Sequence, residues 1–235
     1  MKKILTIILL GCLLIGCSSP RSKEIPPTSA QYAHGFSIES KGTLDVIVIR
    51  NVVPNSETVF RYALAADGIE LPKNNIYDGV IRTPIKRIVA TSTTHLAFLE
   101  ELDALETLVG FPETNYISSP KARKRISEGT LVDVGKSQQL NLERILELNP
   151  DLLLSFGVES IDGSLKRFNE MGIPTIFIGE WNEQNPLGRA EWLKVFGALL
   201  GKKTEAEARF NRIEKNYIEI QNSIPNVKPK PTVLA

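Results

Sequence analysis

At 235 residues the chain has room for one large domain or one and a half ordinary ones, and its 42% hydrophobic content is ample for a core and too high for a disordered chain. A formal net charge of +1, with no basic run interleaved with aromatics, argues against a nucleic-acid surface. Both cysteines, Cys12 and Cys17, lie near the start, which excludes a disulfide or a cysteine metal site in the body of the chain.

The start of the chain speaks to compartment. Lys2 and Lys3 form a positive n-region, and Ile4 to Ile15 is an apolar run too short to span a bilayer comfortably. Leu14-Ile15-Gly16-Cys17 then matches the bacterial lipobox, which makes residues 1–16 a lipoprotein signal peptide and Cys17 the lipidated, diacylated new N-terminus. A plain transmembrane anchor is the competing reading. Two acyl chains suffice for stable attachment to a membrane. Residues 17–31, rich in Ser and Pro, read as a flexible tether.

Residues 32–83 read as a small antiparallel β extension. Phe36 and Ile38, then Leu44, Val46 and Val48, follow period two around a Lys41-Gly42 turn, and Val59, Tyr62 and Leu64 suggest a third strand. Leu71 to Arg82 reads as irregular, with Pro72, Asn74, Asn75 and Gly79 as breakers. From Arg87 strands and helices alternate. Strands are expected at 87–90, 108–111, 131–134, 152–156 and 174–178, with helices at 93–102, from Pro120 through Arg125, after Asn141 and at 163–171. Asn141 and Ser119 read as N-caps, and Gly172 as a C′ glycine. Leu142, Ile145, Leu146 and Leu148 are expected on one buried helix face. Crossovers that each contain a helix imply a parallel sheet covered on both sides, so the fold class is α/β, a three-layer lobe over 84–201 with a mainly parallel five-stranded sheet. A helix is expected from Asn185-Pro186 to about Leu200. A capping box at Thr204-Glu205-Ala206-Glu207 opens a long amphipathic helix over 202–224, with Ala208, Ile213, Tyr217 and Ile220 at helical spacing. Thr232 to Ala235 reads as a new buried strand without a partner, so a second lobe beginning at 225–235 is expected to continue beyond the chain.

Asn141-Leu142-Glu143-Arg144-Ile145, followed by Leu148-Asn149-Pro150-Asp151-Leu152, resembles the signature of the class III solute-binding proteins of ABC importers. Those proteins capture iron–siderophores, haem, cobalamin and similar chelates. Arg87 to Ala90 and Leu108 to Phe111 resemble their first two strands, and Phe196 to Gly201 resembles the entry into the helix that connects their two lobes. The resemblance covers about Pro84 to Ala235 and implies an N-terminal lobe plus connecting helix, an ABC permease as partner, and Glu143 as the acid that docks onto permease arginines. Physically, a first-turn acid is also favoured by the helix dipole, and both roles can hold together. The β extension departs from the family pattern.

Ligands of open parallel sheets sit beyond the carboxyl ends of the strands. That rule nominates Thr93 and Thr94 after the first strand, Tyr116 after the second, Lys136 after the third, Phe156 after the fourth and Trp181 after the fifth. The rings could stack on an apolar chelate and Lys136 could meet an anionic group, or the aromatics could simply pack the lobe edge. His34 and His95 are the only histidines, which disfavours direct metal ligation; no resident cofactor is called for, and any metal belongs to the chelate. The turn after the first strand lacks dinucleotide-binding glycines, and neither a phosphate-cradling loop nor a nucleophile elbow occurs, so an enzyme is not expected. The preferred reading is a lipid-anchored solute-binding protein on the periplasmic or extracytoplasmic side. The alternative is an envelope lipoprotein that uses the same lobe for protein–protein contact or signalling.

Overall fold

The computed structural model describes residues 30–50, 52, 58–70, 76–156, 163–224 and 232. The signal peptide, Cys17, the tether up to residue 29, the breakers at 71–75 and the second-lobe start at 225–235 lie outside the described residues; Thr232 alone of that last stretch is described, in no strand.

The chain opens with β1 (Phe36–Lys41), β2 (Leu44–Arg50) and β3 (Val59–Ala66), an antiparallel meander. Its first turn is Gly42-Thr43, with Gly42 at positive φ, because Lys41 is already paired with Leu44. A fourth strand, β4 (Gly79–Thr83), adds to β3 in parallel where the sequence suggested irregular chain. Strict alternation also fails on β2, where Val46 to Arg50 are all buried, so this central strand is covered on both faces.

β5 (Ile88–Ala90), β6 (Leu108–Phe111), β7 (Val132–Asp133), β10 (Leu152–Phe156) and β11 (Thr175–Ile178) form one all-parallel sheet in the order β11-β10-β5-β6-β7. The expected five-stranded parallel layer is present. A two-residue-stranded hairpin, β8 (Gly135–Lys136) and β9 (Gln139–Leu140), follows β7 and was not legible in the sequence. α1 (Thr93–Glu101) and α2 (Pro120–Ser127) cover one face of the sheet; α3 (Leu142–Leu148) and α4 (Gly163–Glu170) cover the other. Strand residues divide accordingly. Ile88, Ala90, Leu152 and Leu154 join the larger core, whereas Val89 and Leu153 pack with Ile145 and Phe168.

Asn141 caps α3 as expected, its Oδ1 accepting from the Arg144 N–H at 3.1 Å. On that helix Ile145 is buried and Leu142 and Leu148 are partly so, but Leu146 is exposed. Four apolar residues in seven are more than one buried stripe on so short a helix can take. The expected helix to Leu200 is two helices, α5 (Pro186–Glu191) and α6 (Leu193–Leu199), hinged at Trp192. α7 (Lys203–Ser223) begins at Lys203 with Lys202 as its cap residue and no side-chain cap, so the Thr204 capping box does not form. Ala206 and Phe210 bury its base, Ile213 is partly buried, and Ala208, Tyr217 and Ile220 are exposed.

The small sheet is not an appendage. Phe36, Ile47, Ile49, Tyr62, Leu64 and Ile81 share a single hydrophobic core with the parallel sheet, α1 and α6. Phe36 meets Trp192 edge-on at 5.1 Å between centroids, and Phe60 meets Phe177 at 4.8 Å.

Candidate functional site

The chain runs β5, β6, β7 toward one edge of the sheet, then returns to place β10 and β11 on the other side of β5. The winding therefore reverses between β5 and β10, and α1 and α4, the helices that follow these two strands, lie on opposite faces of the sheet, the arrangement at which open α/β sheets bind ligands. Thr91 stitches the two ends together: its N–H donates to the Leu154 carbonyl at 3.1 Å, and its Oγ1 accepts from the Phe156 N–H at 3.2 Å. Ser92 caps α1, accepting from the Thr94 N–H at 3.3 Å.

All six nominated ligand residues lie at the carboxyl edge, in two groups. Thr93 and Thr94 are exposed at the start of α1, Phe156 is half-buried at the end of β10, and Trp181 is half-buried on the 3-10 turn Glu180–Asn182 after β11. These occupy three neighbouring strands. Thr94 Oγ1 bridges two of their loops by donating to Glu180 Oε1 at 2.5 Å. Tyr116, 68% exposed, lies on the 3-10 turn after β6, and Lys136, also exposed, lies in β8 after β7. Their loops are tied by the Glu113 N–H, which donates to the Gly135 carbonyl at 2.9 Å, and by the Glu113 carboxylate, which accepts from the Ser137 N–H at 3.1 Å. The edge thus offers hydroxyls and rings at the reversal point and a ring with an ammonium farther along.

Glu143 is exposed in the first turn of α3, which starts beside the end of β7 because the Asn141 N–H donates to the Val134 carbonyl at 2.8 Å. The far end of α3 is held as well. Arg87 Nε and Nη2 donate to the Leu148 carbonyl at 2.9 and 2.6 Å. Glu143 is carried on a helix fixed at both ends.

Three glutamates that the sequence did not single out are buried nearby. Glu180, 4% exposed, keeps Oε2 without a hydrogen-bond partner, and burial raises its pKa against the Thr94 hydrogen bond, the main-chain N–H groups of Glu180 and Trp181 and the charge of Arg189. Glu183 accepts from the His34 and Gly35 N–H groups, the latter at 2.8 Å, and from Trp192 Nε1 at 3.0 Å. The close approach needs glycine at 35, where a Cβ would stand 2.8 Å from the Trp192 ring. Glu191 accepts from the Gln31, Tyr32 and Ala33 N–H groups at 2.8, 2.8 and 2.9 Å, so the expected tether is already docked at Gln31. These partners are some 150 residues from the glutamates along the chain, a separation no local pattern reports.

His95 is a core residue. It is fully enclosed, its ring 6.0 Å from that of Phe196, and burial pushes its pKa down to about 3, which keeps it neutral. Among the described residues no group of three or more His, Cys, Asp or Glu is placed to hold a metal ion, and no helix is long and apolar enough to cross a membrane.

The family profile described as periplasmic binding protein matches residues 88–235. An uncharacterized lipoprotein of Methanocaldococcus jannaschii is 30% identical over 160 residues, which are 66% of this chain and 38% of that protein. A petrobactin-binding protein of Bacillus subtilis is 23% identical over 171 residues, 72% of this chain and 46% of its own. The chain spans about half or less of the curated relatives it matches. The solved structure of a molybdate periplasmic binding protein from Haemophilus influenzae superposes with a TM-score of 0.50 at 19% identity, covering 63% of this chain and 51% of that one, and shares the fold. With the matched profile extending over most of the chain, and the parallel sheet and long helix it delimits in place, the chain belongs to the periplasmic binding proteins, class III, a family of solute-binding proteins rather than enzymes.

Proposed function

We propose that this protein is the lipid-anchored solute-binding component of an ABC importer, which captures a metal chelate of the iron–siderophore, haem or cobalamin kind and delivers it to a permease. The observation that carries the reading is the reversal point between β5 and β10, where Thr93, Thr94, Phe156 and Trp181 stand at or just beyond the carboxyl ends of neighbouring strands. Tyr116 and Lys136 extend that edge, and an ammonium there suits the carboxylate or phenolate groups of such chelates. Capture is reversible and makes or breaks no bond. Lipidation at Cys17 would hold the protein at the membrane, and the lipoprotein relatives of M. jannaschii support that part of the reading. The petrobactin-binding relative supports a siderophore over free metal. Glu143, on its doubly fixed helix, would meet a permease guanidinium bidentately.

The test is tryptophan fluorescence of the full-length gene product during titration with ferric siderophores, haem and cobalamin. Trp192 is fully enclosed and hydrogen-bonded to Glu183, so the responsive signal is expected from Trp181 and should vanish in W181F. Absence of quenching and of any binding by equilibrium dialysis across all three chelate classes would remove the proposal and leave the protein-contact alternative.

A further inference from the structure

Most buried polar side chains in a folded protein have a partner, and leaving one without costs about 1–3 kcal/mol, more if it is charged. Glu180 Oε2 and Trp181 Nε1 are both buried and both unpartnered, on consecutive residues at the carboxyl end of edge strand β11. Among the described residues Glu180 forms no ion pair; Arg189, the nearest cation to influence it, spends its Nε on the Glu183 carbonyl at 3.1 Å. Yet the carboxylate is only one side chain below the surface. Its Oε1 holds the hydroxyl of Thr94, and Thr94 is exposed. With Thr94 donating to Glu180, Ser92 Oγ, 2.7 Å from Thr94 Oγ1, is left as the donor to Thr94. Those hydroxyls are therefore committed, while Oε2 of the same carboxylate, which the Glu180 and Trp181 N–H groups also stabilise, makes no hydrogen bond. Lys136, in β8 after β7, lies toward the opposite side of the sheet, where β7 is four strand spacings or ~19 Å from β11.

We propose that Glu180 is a specificity-determining residue of the crevice, which takes a hydrogen-bond donor, a protonated primary amine before any other, from the periphery of the bound molecule, with the Trp181 ring as its wall. An ammonium supplies the missing donor, neutralises the carboxylate and gains from the indole face. The inference rests on the metal-chelate reading for the rest of the ligand, but the subsite can be tested apart from it.

In the full-length protein the Trp181 indole N–H resonance, identified by its loss in W181F, should shift saturably with hexylammonium and stay unmoved by hexan-1-ol of the same size. E180Q, which retains the shape and an acceptor for Thr94, should lose the shift. A linear ferric trihydroxamate ending in a primary amine is expected to bind the wild type about tenfold tighter than the same chelate N-acetylated, and E180Q to bind the two alike. If hexylammonium acts as stated while no chelate binds, the subsite stands and the metal-chelate reading fails. A hexylammonium response equal to that of hexan-1-ol overturns the subsite whatever the chelates do, and needs no variant to be seen.

Discussion

Glu191 shows how much one side chain can organise. Its carboxylate receives three consecutive backbone N–H groups and the Lys194 ammonium, the last at 3.0 Å. Burial alone would raise its pKa; the N–H groups of Gln31, Ala33 and Tyr32 together with Lys194 outweigh it and hold the carboxyl below its ordinary value of 4.5. E191A strands those donors in a buried site and is expected to lower the unfolding free energy by about 3 kcal/mol, read from urea melts. Because the folded-state pKa is depressed, the carboxylate's contribution is complete above pH 4.5 and declines as pH falls through the lower folded value. The gap in stability between wild type and E191Q should therefore narrow on acidification from about pH 6 to about pH 3. None of this was legible beforehand, whereas the Asn141 cap was, because a cap and its amide lie three residues apart. The six edge residues were likewise legible, through a rule about strand ends, but Glu180 was not, since its partner Thr94 is brought to it only by strand order.

Elements were read best where period and punctuation agree. The strands β5, β6, β10 and β11 are short, mainly apolar runs, buried except at Phe156, and fell within two residues of expectation. β4 was lost because it begins at a glycine, carries an arginine, and owes its pairing to β3 rather than to its own pattern. The break at Trp192 was equally hidden: nothing local interrupts the helix, but the indole is drawn to Glu183 and Phe36. The crossing of α6 and α7 depends on Gly197, where an added Cβ would lie 2.4 Å from the Ala206 Cβ and 3.0 Å from the Lys202 carbonyl oxygen. Neither neighbour can swing aside. G197A is expected to force the two helices apart and lower stability by about 1–3 kcal/mol, seen as a fall in Tm with unchanged secondary structure by circular dichroism.

At the scale of the molecule the cores decide. One cluster runs from Phe36 on the meander to Ala206 at the base of α7, with Ile213 packed against it, and Lys203 of α7 also pairs with Asp45 of β2. Removal of residues 32–83 should therefore unfold the parallel lobe rather than trim it. Glu143 belongs to neither cluster and is exposed, so its replacement should be invisible to stability. Under the proposed importer role, E143K is expected to abolish uptake in a transport assay while chelate affinity and Tm remain within error; surviving transport would remove Glu143 from the docking face.

The fastening of Gln31 to Gly35 has a mechanical meaning. Any pull on the chain upstream of these residues is taken up by Glu191 and Glu183, and by the Tyr32 hydroxyl, which donates to Glu214 of α7 at 2.6 Å. The load passes into α5, Trp192 and the base of the long helix. A tug at the front of the chain is thus shared among several helices rather than borne by one strand.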